Sequence, residues 1–102
     1  MMVGLSEKEL SSLREVFTKF DAIEEVILFG SRACRTHQKA SDVDLAIKGK
    51  TIDLGTLSKL KYTLEEQTNL PYFFDVVIYD KITNDALKKA IDEVGKRIYV
   101  GI

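Results

Sequence analysis

The 102-residue sequence has few cysteines, prolines and glycines and no long apolar run. Its single cysteine, Cys34, excludes an internal disulfide and a cysteine-rich metal site, and is compatible with a reducing cytoplasm. One proline, six glycines and no low-complexity tract argue against a disordered chain. No apolar run approaches the roughly 20 residues that span a bilayer. Because the residues behind Met1 also lack a secretory signal pattern, we expect a cytoplasmic protein without a membrane contact.

The sequence also lacks an excess of charge of either sign. Lys and Arg number 15 and Asp and Glu number 16, which gives a net charge of −1. This balance does not favour a broad nucleic-acid-binding face, so we do not expect direct nucleic-acid binding. The hydrophobic fraction of 45% is that of a globular protein. The length fits one domain over residues 1–102 with one modest core.

Three stretches have apolar residues at helical spacing. A capping-box pattern at Ser6 and Glu9 precedes the first of them. Gly95 lies within the third and weakens it by up to ~1 kcal/mol. The predicted helices run from about Glu7 to Phe20, from about Asp53 to Thr68, and from a cap at Thr83 to about Ile98.

Three other stretches have the composition of strands. Val26 to Phe29 is a continuous apolar run rich in branched residues, which favours a buried strand. Asp42 to Ile47 alternates polar and apolar residues, and Tyr72 to Tyr79 is rich in aromatic and branched residues. Between the first two strands, Arg32 to Arg35 is a candidate short helix, and the polar residues Thr36 to Ser41 predict a loop. Strands that alternate with helices indicate a small α/β layer structure.

Three carboxylates stand at chemically unusual positions in these strands. Asp42 and Asp44 point to the same face because successive strand side chains alternate, and their Cα atoms should lie roughly 6.5 Å apart. Carboxylates that close repel each other unless a cation lies between them, and Mg²⁺ suits oxygen ligands. Asp75 interrupts an apolar strand, which costs free energy unless the carboxylate is paired or bound to metal. If the second and third strands are neighbours, the three acids can hold two cations roughly 3.5–4 Å apart.

A candidate phosphate-binding step follows the first strand. Gly30 lets the backbone approach a phosphate closely, and Ser31 adds a hydroxyl donor. A helix that begins there would direct N–H groups and a favourable dipole at the anion. Arg32 adds a positive charge, unless its side chain points to solvent.

Each feature also has a simpler interpretation when it is taken alone. Two aspartates at this spacing are more often solvated surface than a metal site, and a Gly-Ser step is more often only a turn. Asp75 could be a salt-bridged residue of an edge strand. His37, the only histidine, lies in a polar stretch and is best interpreted as solvated. The Walker phosphate loop, the dinucleotide fingerprint and the nucleophile elbow are all absent from the sequence.

Taken together, the residues resemble a known family. Leu28-Phe29-Gly30-Ser31-Arg32-Ala33 followed by Asp42-Val43-Asp44-Leu45-Ala46-Ile47 resembles the signature of the DNA polymerase β-like nucleotidyltransferases, and Phe74-Asp75-Val76-Val77 matches the third acidic position. The short length resembles the minimal nucleotidyltransferase (MNT) domains of that superfamily. The resemblance implies an α/β (α+β) nucleotidyltransferase fold, with a small mixed β-sheet of three or four strands flanked by helices.

The resemblance also implies an activity. Asp42, Asp44 and Asp75 would bind Mg²⁺, with two ions expected, and Asp75 would help activate the attacking hydroxyl. Gly30 and Ser31, with Arg32 as a further contact, would hold the triphosphate of ATP or another NTP. A nucleoside monophosphate would then pass to an acceptor hydroxyl with release of pyrophosphate. In this chemistry the protein supplies mainly positioning and charge neutralisation.

The resemblance further implies a partner. Small members of this family often pair with a helical HEPN-type protein as a toxin–antitoxin system, in which the transferase is the antitoxin, and some resemble adenylyltransferases that modify a tyrosine of the toxin. Two other hypotheses remain open from the sequence. The chain could be a non-catalytic binding module that neutralises a partner by contact, or a structural α/β domain whose acids are only solvated.

Overall fold

Among the described residues, three helices and the three predicted strands occur in the order that the sequence predicts, with one further strand near the end. The computed structural model describes residues 5–30, 43–68, 70 and 72–101. In chain order the described elements are α1 (Glu7–Phe17), β1 (Glu25–Phe29), β2 (Val43–Lys48), α2 (Leu54–Glu66), β3 (Phe74–Ile78), a 3₁₀ turn (Tyr79–Lys81), α3 (Asp85–Val94) and β4 (Lys96–Val100). The predicted short helix from Arg32 to Arg35 and the predicted loop from Thr36 to Ser41 lie outside the described residues.

The strands form one mixed sheet in the order β3-β2-β1-β4. β1 pairs antiparallel with both β2 and β4, whereas β2 pairs parallel with β3. The parallel pair requires a crossover, which α2 provides. The fold class predicted from the resemblance, a small mixed sheet flanked by helices, is therefore confirmed.

The two faces of the sheet are covered by different helices. α1 and α2 pack on the first face, where Leu13, Phe17, Leu60 and Leu64 meet the alternate residues Val43, Leu45 and Ile47 of β2 in the main core. α3 packs on the second face, where Ile91 meets Ile27 and Ala46 in a smaller cluster. The alternating apolar residues of β2 therefore face the main core on one side of the sheet. Its other face carries Asp44 and is only partly covered.

α1 begins where the sequence predicts and ends earlier. The Ser6 hydroxyl accepts a hydrogen bond from the Glu9 N–H, and the Glu9 carboxylate accepts one from the Ser6 N–H, so the capping box is formed. The helix was predicted to reach Phe20, but it ends at Phe17. The N–H groups of Lys19 and Phe20 bond to the carbonyls three residues earlier, because the chain tightens before it turns into β1.

α2 and β3 are both shorter than the sequence predicts. Asp53 caps α2, since its carboxylate accepts a hydrogen bond from the Thr56 N–H at 2.8 Å. That bond holds the pKa of Asp53 below its ordinary value. β3 begins at Phe74 rather than Tyr72, and the 3₁₀ turn takes over at Tyr79. No helix in the described ranges is long and apolar enough to cross a bilayer.

The prediction for the end of the chain is wrong. The last helix was expected to be capped by Thr83 and to continue through Gly95 to Ile98, but Asn84 is the cap and the helix ends at Val94. Gly95 has extended backbone angles, and β4 follows it and pairs with β1. The helical spacing from Val94 to Ile98 is therefore coincidental. The branched and aromatic residues of β4 pair with β1 because a strand there covers an edge that a helix would leave open.

Candidate active site

The structure describes three of the six residues that the sequence singles out. Gly30, Asp44 and Asp75 lie within the described ranges, and Ser31, Arg32 and Asp42 lie outside them. The three described residues lie in or next to three consecutive strands. Gly30 directly follows β1, Asp44 is the second residue of β2, and Asp75 is the second residue of β3. Antiparallel pairing of β1 and β2 and parallel pairing of β2 and β3 bring these positions to the same end of the sheet.

Asp44 and Asp75 are direct neighbours across the parallel pair. The register places Asp44 opposite Asp75, so both side chains project from the same face. Neighbouring strands lie about 4.8 Å apart, so the two acidic side chains are adjacent on this face. The sequence left open whether β2 and β3 are neighbours, and they are. Adjacent carboxylates offer oxygen ligands of the kind that a divalent cation takes.

The turn at Gly30 brings the backbone against Asp44. Gly30 has a φ of 75°, in the left-handed region that glycine adopts without a steric cost. A Cβ atom added to Gly30 would overlap the Oδ2 atom of Asp44 and lie 3.1 Å from its Cγ. Glycine at this position therefore has two physical reasons, the backbone conformation and the space that the Asp44 carboxylate occupies. The sequence predicted only that the backbone at Gly30 can approach a phosphate closely, and the contact with Asp44 was not predicted.

The two acids differ in their exposure. Asp44 is half-buried beside the end of β1, where Phe29 is its register partner, and Asp75 is exposed. Phe29 packs against the small cluster under α3, so apolar surface adjoins the carboxylates on the same face. This environment strengthens electrostatic interactions at Asp44 relative to bulk water. Asp75, by contrast, is open to an incoming molecule.

The acids present a donor set that fits a hard divalent cation. Among the described residues no three His, Cys, Asp or Glu side chains are grouped closely enough to hold a metal ion. Two carboxylates of the predicted triad are adjacent, and the third acid, Asp42, lies outside the described residues. Carboxylate oxygens are the ligands that Mg²⁺ takes, and it commonly uses only one or two of them together with substrate phosphates.

Several contacts near the site were not predicted. The Glu65 carboxylate of α2 accepts a hydrogen bond from the Phe74 N–H at 2.8 Å. The Tyr72 hydroxyl donates to the Glu9 carboxylate of α1 at 2.6 Å. Both bonds tie the start of β3 to the helices and thereby fix the strand that carries Asp75. No sequence pattern marks them, because each joins residues whose proximity follows only from the tertiary fold.

Tyr79 connects α3 to the sheet at the other end of the same face. Its hydroxyl donates to the Asp92 carboxylate at 2.6 Å, and this bond raises the pKa of Tyr79 above its ordinary value. The ammonium groups of Lys48 and Lys88 lie 4.4 and 4.9 Å from the ring centroid, within cation–π range. The strand predicted from Tyr72 to Tyr79 did not indicate these contacts. These contacts indicate a structural role in docking α3.

Cavity size does not locate the candidate site. A polar cavity of about 480 Å³ lies between α1 and the segment that follows α2, and Lys8, Glu15 and Gln67 are among the residues that line it. It belongs to the helical layer on the first face, whereas Asp44 and Asp75 project from the second. The paired carboxylates, rather than the cavity, therefore define the candidate site.

A comparison with protein families finds a match over most of the chain. The family model described as "Polymerase beta, Nucleotidyltransferase" matches residues 11–100, which include β1 to β4 and both described acids. No curated protein matches the chain significantly in sequence.

Solved structures are similar in fold. A crystal structure of a toxin–antitoxin with AMP-PNP has a TM-score of 0.73 and 22% identity, over 95% of this chain and 75% of that chain. Two variants of the toxin–antitoxin MntA-HpeT are similar over the same 95% of this chain. One carries two Asp-to-Glu substitutions and has a TM-score of 0.71 with 20% identity over 75% of that chain. The other carries a Tyr-to-Ala substitution and has a TM-score of 0.70 with 21% identity over 74% of that chain.

Proposed function

The chain belongs to the polymerase β-type nucleotidyltransferase family, and from that premise we propose that it transfers AMP from ATP to a hydroxyl of a partner protein. The observation that supports this most directly is the pairing of Asp44 with Asp75 beside the left-handed turn at Gly30. Paired carboxylates next to a tight glycine turn suit a nucleotide whose phosphates need charge neutralisation and close backbone approach.

The proposed reaction gives one task to the three acids and another to residues 30–32. Asp42, Asp44 and Asp75 would hold Mg²⁺, which would supply charge neutralisation for the phosphates. Gly30, Ser31 and Arg32 position the triphosphate.

The exposed Asp75 lies where an acceptor hydroxyl can reach it. The acceptor oxygen bonds to the α-phosphorus and the α–β phosphoanhydride bond breaks. Pyrophosphate then leaves with the bonding electrons, and the hydroxyl proton passes to the Asp75 carboxylate.

The proposed partner is a toxin that the transfer inactivates. Three of the solved structures of similar fold are toxin–antitoxin structures, and one of them contains AMP-PNP. The family resemblance adds that the toxin is a HEPN-type helical protein. We therefore propose that this chain acts as the antitoxin and modifies that partner, with cytoplasmic ATP as the nucleotide.

The test is a transfer assay on the protein encoded by the gene next to that of this chain, here called the neighbouring-gene protein. With ATP radiolabelled at the α phosphate and Mg²⁺, we expect label on that protein and release of unlabelled pyrophosphate. With ATP labelled at the γ phosphate, we expect no labelled protein. Label from the γ phosphate would identify a kinase and contradict the proposal.

A variant that lacks the acid of β2 and the acid just before that strand separates catalysis from neutralisation by contact. A doubly substituted chain, Asp42→Asn with Asp44→Asn, should neither label the partner nor relieve its toxicity in cells that express both proteins. Full relief of toxicity by this variant would show that binding alone suffices, and would favour a non-catalytic module.

A further inference from the structure

We infer that the partner protein presents its acceptor hydroxyl on an extended segment that pairs with the outer edge of β3. This inference rests on the proposed function and names the surface that the partner uses. β3 carries Asp75 and is one of the two edge strands of the described sheet. An outermost strand directs a row of backbone N–H and C=O groups away from its neighbour, and these can pair with another extended chain.

The ladder between β2 and β3 shows which backbone groups point outward. The Val43 N–H donates to the Phe73 carbonyl at 3.0 Å, so residues 73, 75 and 77 direct their backbone groups toward β2. Phe74 and Val76 therefore direct theirs outward. The outward N–H of Phe74 is bonded to the Glu65 carboxylate. The N–H and carbonyl of Val76 then form the next position at which an incoming strand can pair.

An apolar groove runs beside this position. It has a volume of about 400 Å³, and α2 contributes Leu54 and Leu57 to one wall. Ile82 and Leu87 line the opposite wall, and Lys81 is the one charged side chain among the described residues of the groove lining. Leu54 is 68% exposed, which is unusual for a leucine of an amphipathic helix. The groove therefore fits alternate apolar side chains of an extended segment, with an acidic residue of that segment near Lys81.

Strand geometry connects the edge to the candidate active site. Residues opposite each other on neighbouring strands project from the same face, and the strands lie about 4.8 Å apart. If one residue of the incoming segment bonds to Val76, an adjacent residue lies opposite Asp75. Its side chain then projects from the face that carries Asp44 and Asp75. A hydroxyl on that side chain would arrive beside the carboxylate that accepts its proton.

Amide exchange tests the pairing without any catalytic step. The chain is mixed with the neighbouring-gene protein in the absence of ATP, and exchange is measured residue by residue by NMR. We expect exchange of the Val76 N–H to slow at least tenfold on complex formation. The Asp75 and Val77 amides already bond within the ladder and should change less. Because no nucleotide is present, the result does not depend on transferase activity, and Asp44→Asn should give the same protection.

A matched pair of variants tests the groove. Leu54→Asp places a charge in the groove at an exposed position, and we expect it to weaken binding of the neighbouring-gene protein at least tenfold while affinity for ATP stays unchanged. Val100→Asp makes a similar change at a 54% exposed valine on β4, the opposite edge of the sheet. This control should bind the partner as the unsubstituted chain does.

Several outcomes would overturn the inference. The first is a complex that forms while the Val76 amide stays unprotected from exchange. If Leu54→Asp still weakened binding of that complex, the groove would hold a helix rather than a strand. Equal loss of binding in both variants also contradicts it, as does failure of the two proteins to associate. Protection of Val76 that rises with the concentration of the chain alone would assign the edge to a second copy instead.

Discussion

Asp44→Asn is expected to lower the rate of AMP transfer by roughly 10²–10⁴-fold. A metal-bound carboxylate supports several kcal/mol of charge stabilisation in phosphoryl chemistry, and each 1.36 kcal/mol is a tenfold change in rate. Asn keeps the shape of the side chain and removes its charge, so the effect should appear in the rate and in Mg²⁺ dependence rather than in folding. Asp75→Asn should cause a loss of the same order, because Asp75 is the register partner of Asp44.

Stability measurements distinguish a loss of catalysis in these variants from a general structural defect. Asp75 is exposed and faces a like charge on the neighbouring strand. Like charges directly opposite each other destabilise a sheet by up to about 1 kcal/mol. Asp75→Asn should therefore leave the free energy of unfolding unchanged or raise it slightly in the absence of metal. Asp21→Asn, at an exposed turn position before β1, is the control and should change neither rate nor stability. Full transfer activity in either active-site variant would remove these acids from the mechanism.

Gly30→Ala is expected to abolish nucleotide transfer and to destabilise the fold. The left-handed conformation of Gly30 costs an alanine roughly 1–2 kcal/mol. The added Cβ also overlaps the Asp44 carboxylate, which must move from its position opposite Asp75. We therefore expect the free energy of unfolding to fall by about 1–3 kcal/mol and the affinity for Mg²⁺ and ATP to fall with it. Chemical denaturation and calorimetry measure the two effects.

Gly55→Ala is the matched control for this prediction. Gly55 lies in the first turn of α2 with no left-handed backbone angle, and the nearest atom to an added Cβ is the Asp53 carboxylate oxygen at 3.4 Å. Alanine there should be neutral, or should stabilise the chain by up to about 1 kcal/mol, since it lowers the entropy of the unfolded state. If Gly30→Ala behaved like Gly55→Ala, the close approach of Gly30 to Asp44 would not constrain this position, contrary to the account given above.

Local patterns in the sequence predict much of this fold. The capping box at Ser6 fixes the start of α1, and the alternation in β2 assigns one face to the core and the other to Asp44. Both features depend on residues close together in the chain, so the sequence carries them directly. The joint position of Asp44 and Asp75 was also inferable, given that β2 and β3 are neighbours.

Features that depend on distant parts of the chain could not be predicted in this way. The run from Lys96 to Val100 is a strand because β1 offers an edge to pair with, whereas its spacing from Val94 to Ile98 also suits a helix. The hydrogen bond from Phe74 to Glu65 and the contact of Gly30 with Asp44 likewise arise only once the sheet has formed. Tertiary context decides such cases over local propensity.

Anomalous diffraction from crystals grown with Mn²⁺ and AMP-PNP tests the proposed metal site most directly. Mn²⁺ takes the same oxygen ligands as Mg²⁺ and can be located by its anomalous signal. We predict a peak in contact with carboxylate oxygens of both Asp44 and Asp75, with nucleotide phosphate completing the coordination. Ordered nucleotide with its Mn²⁺ bound elsewhere, and both carboxylates left without a cation, would contradict the assignment of this site.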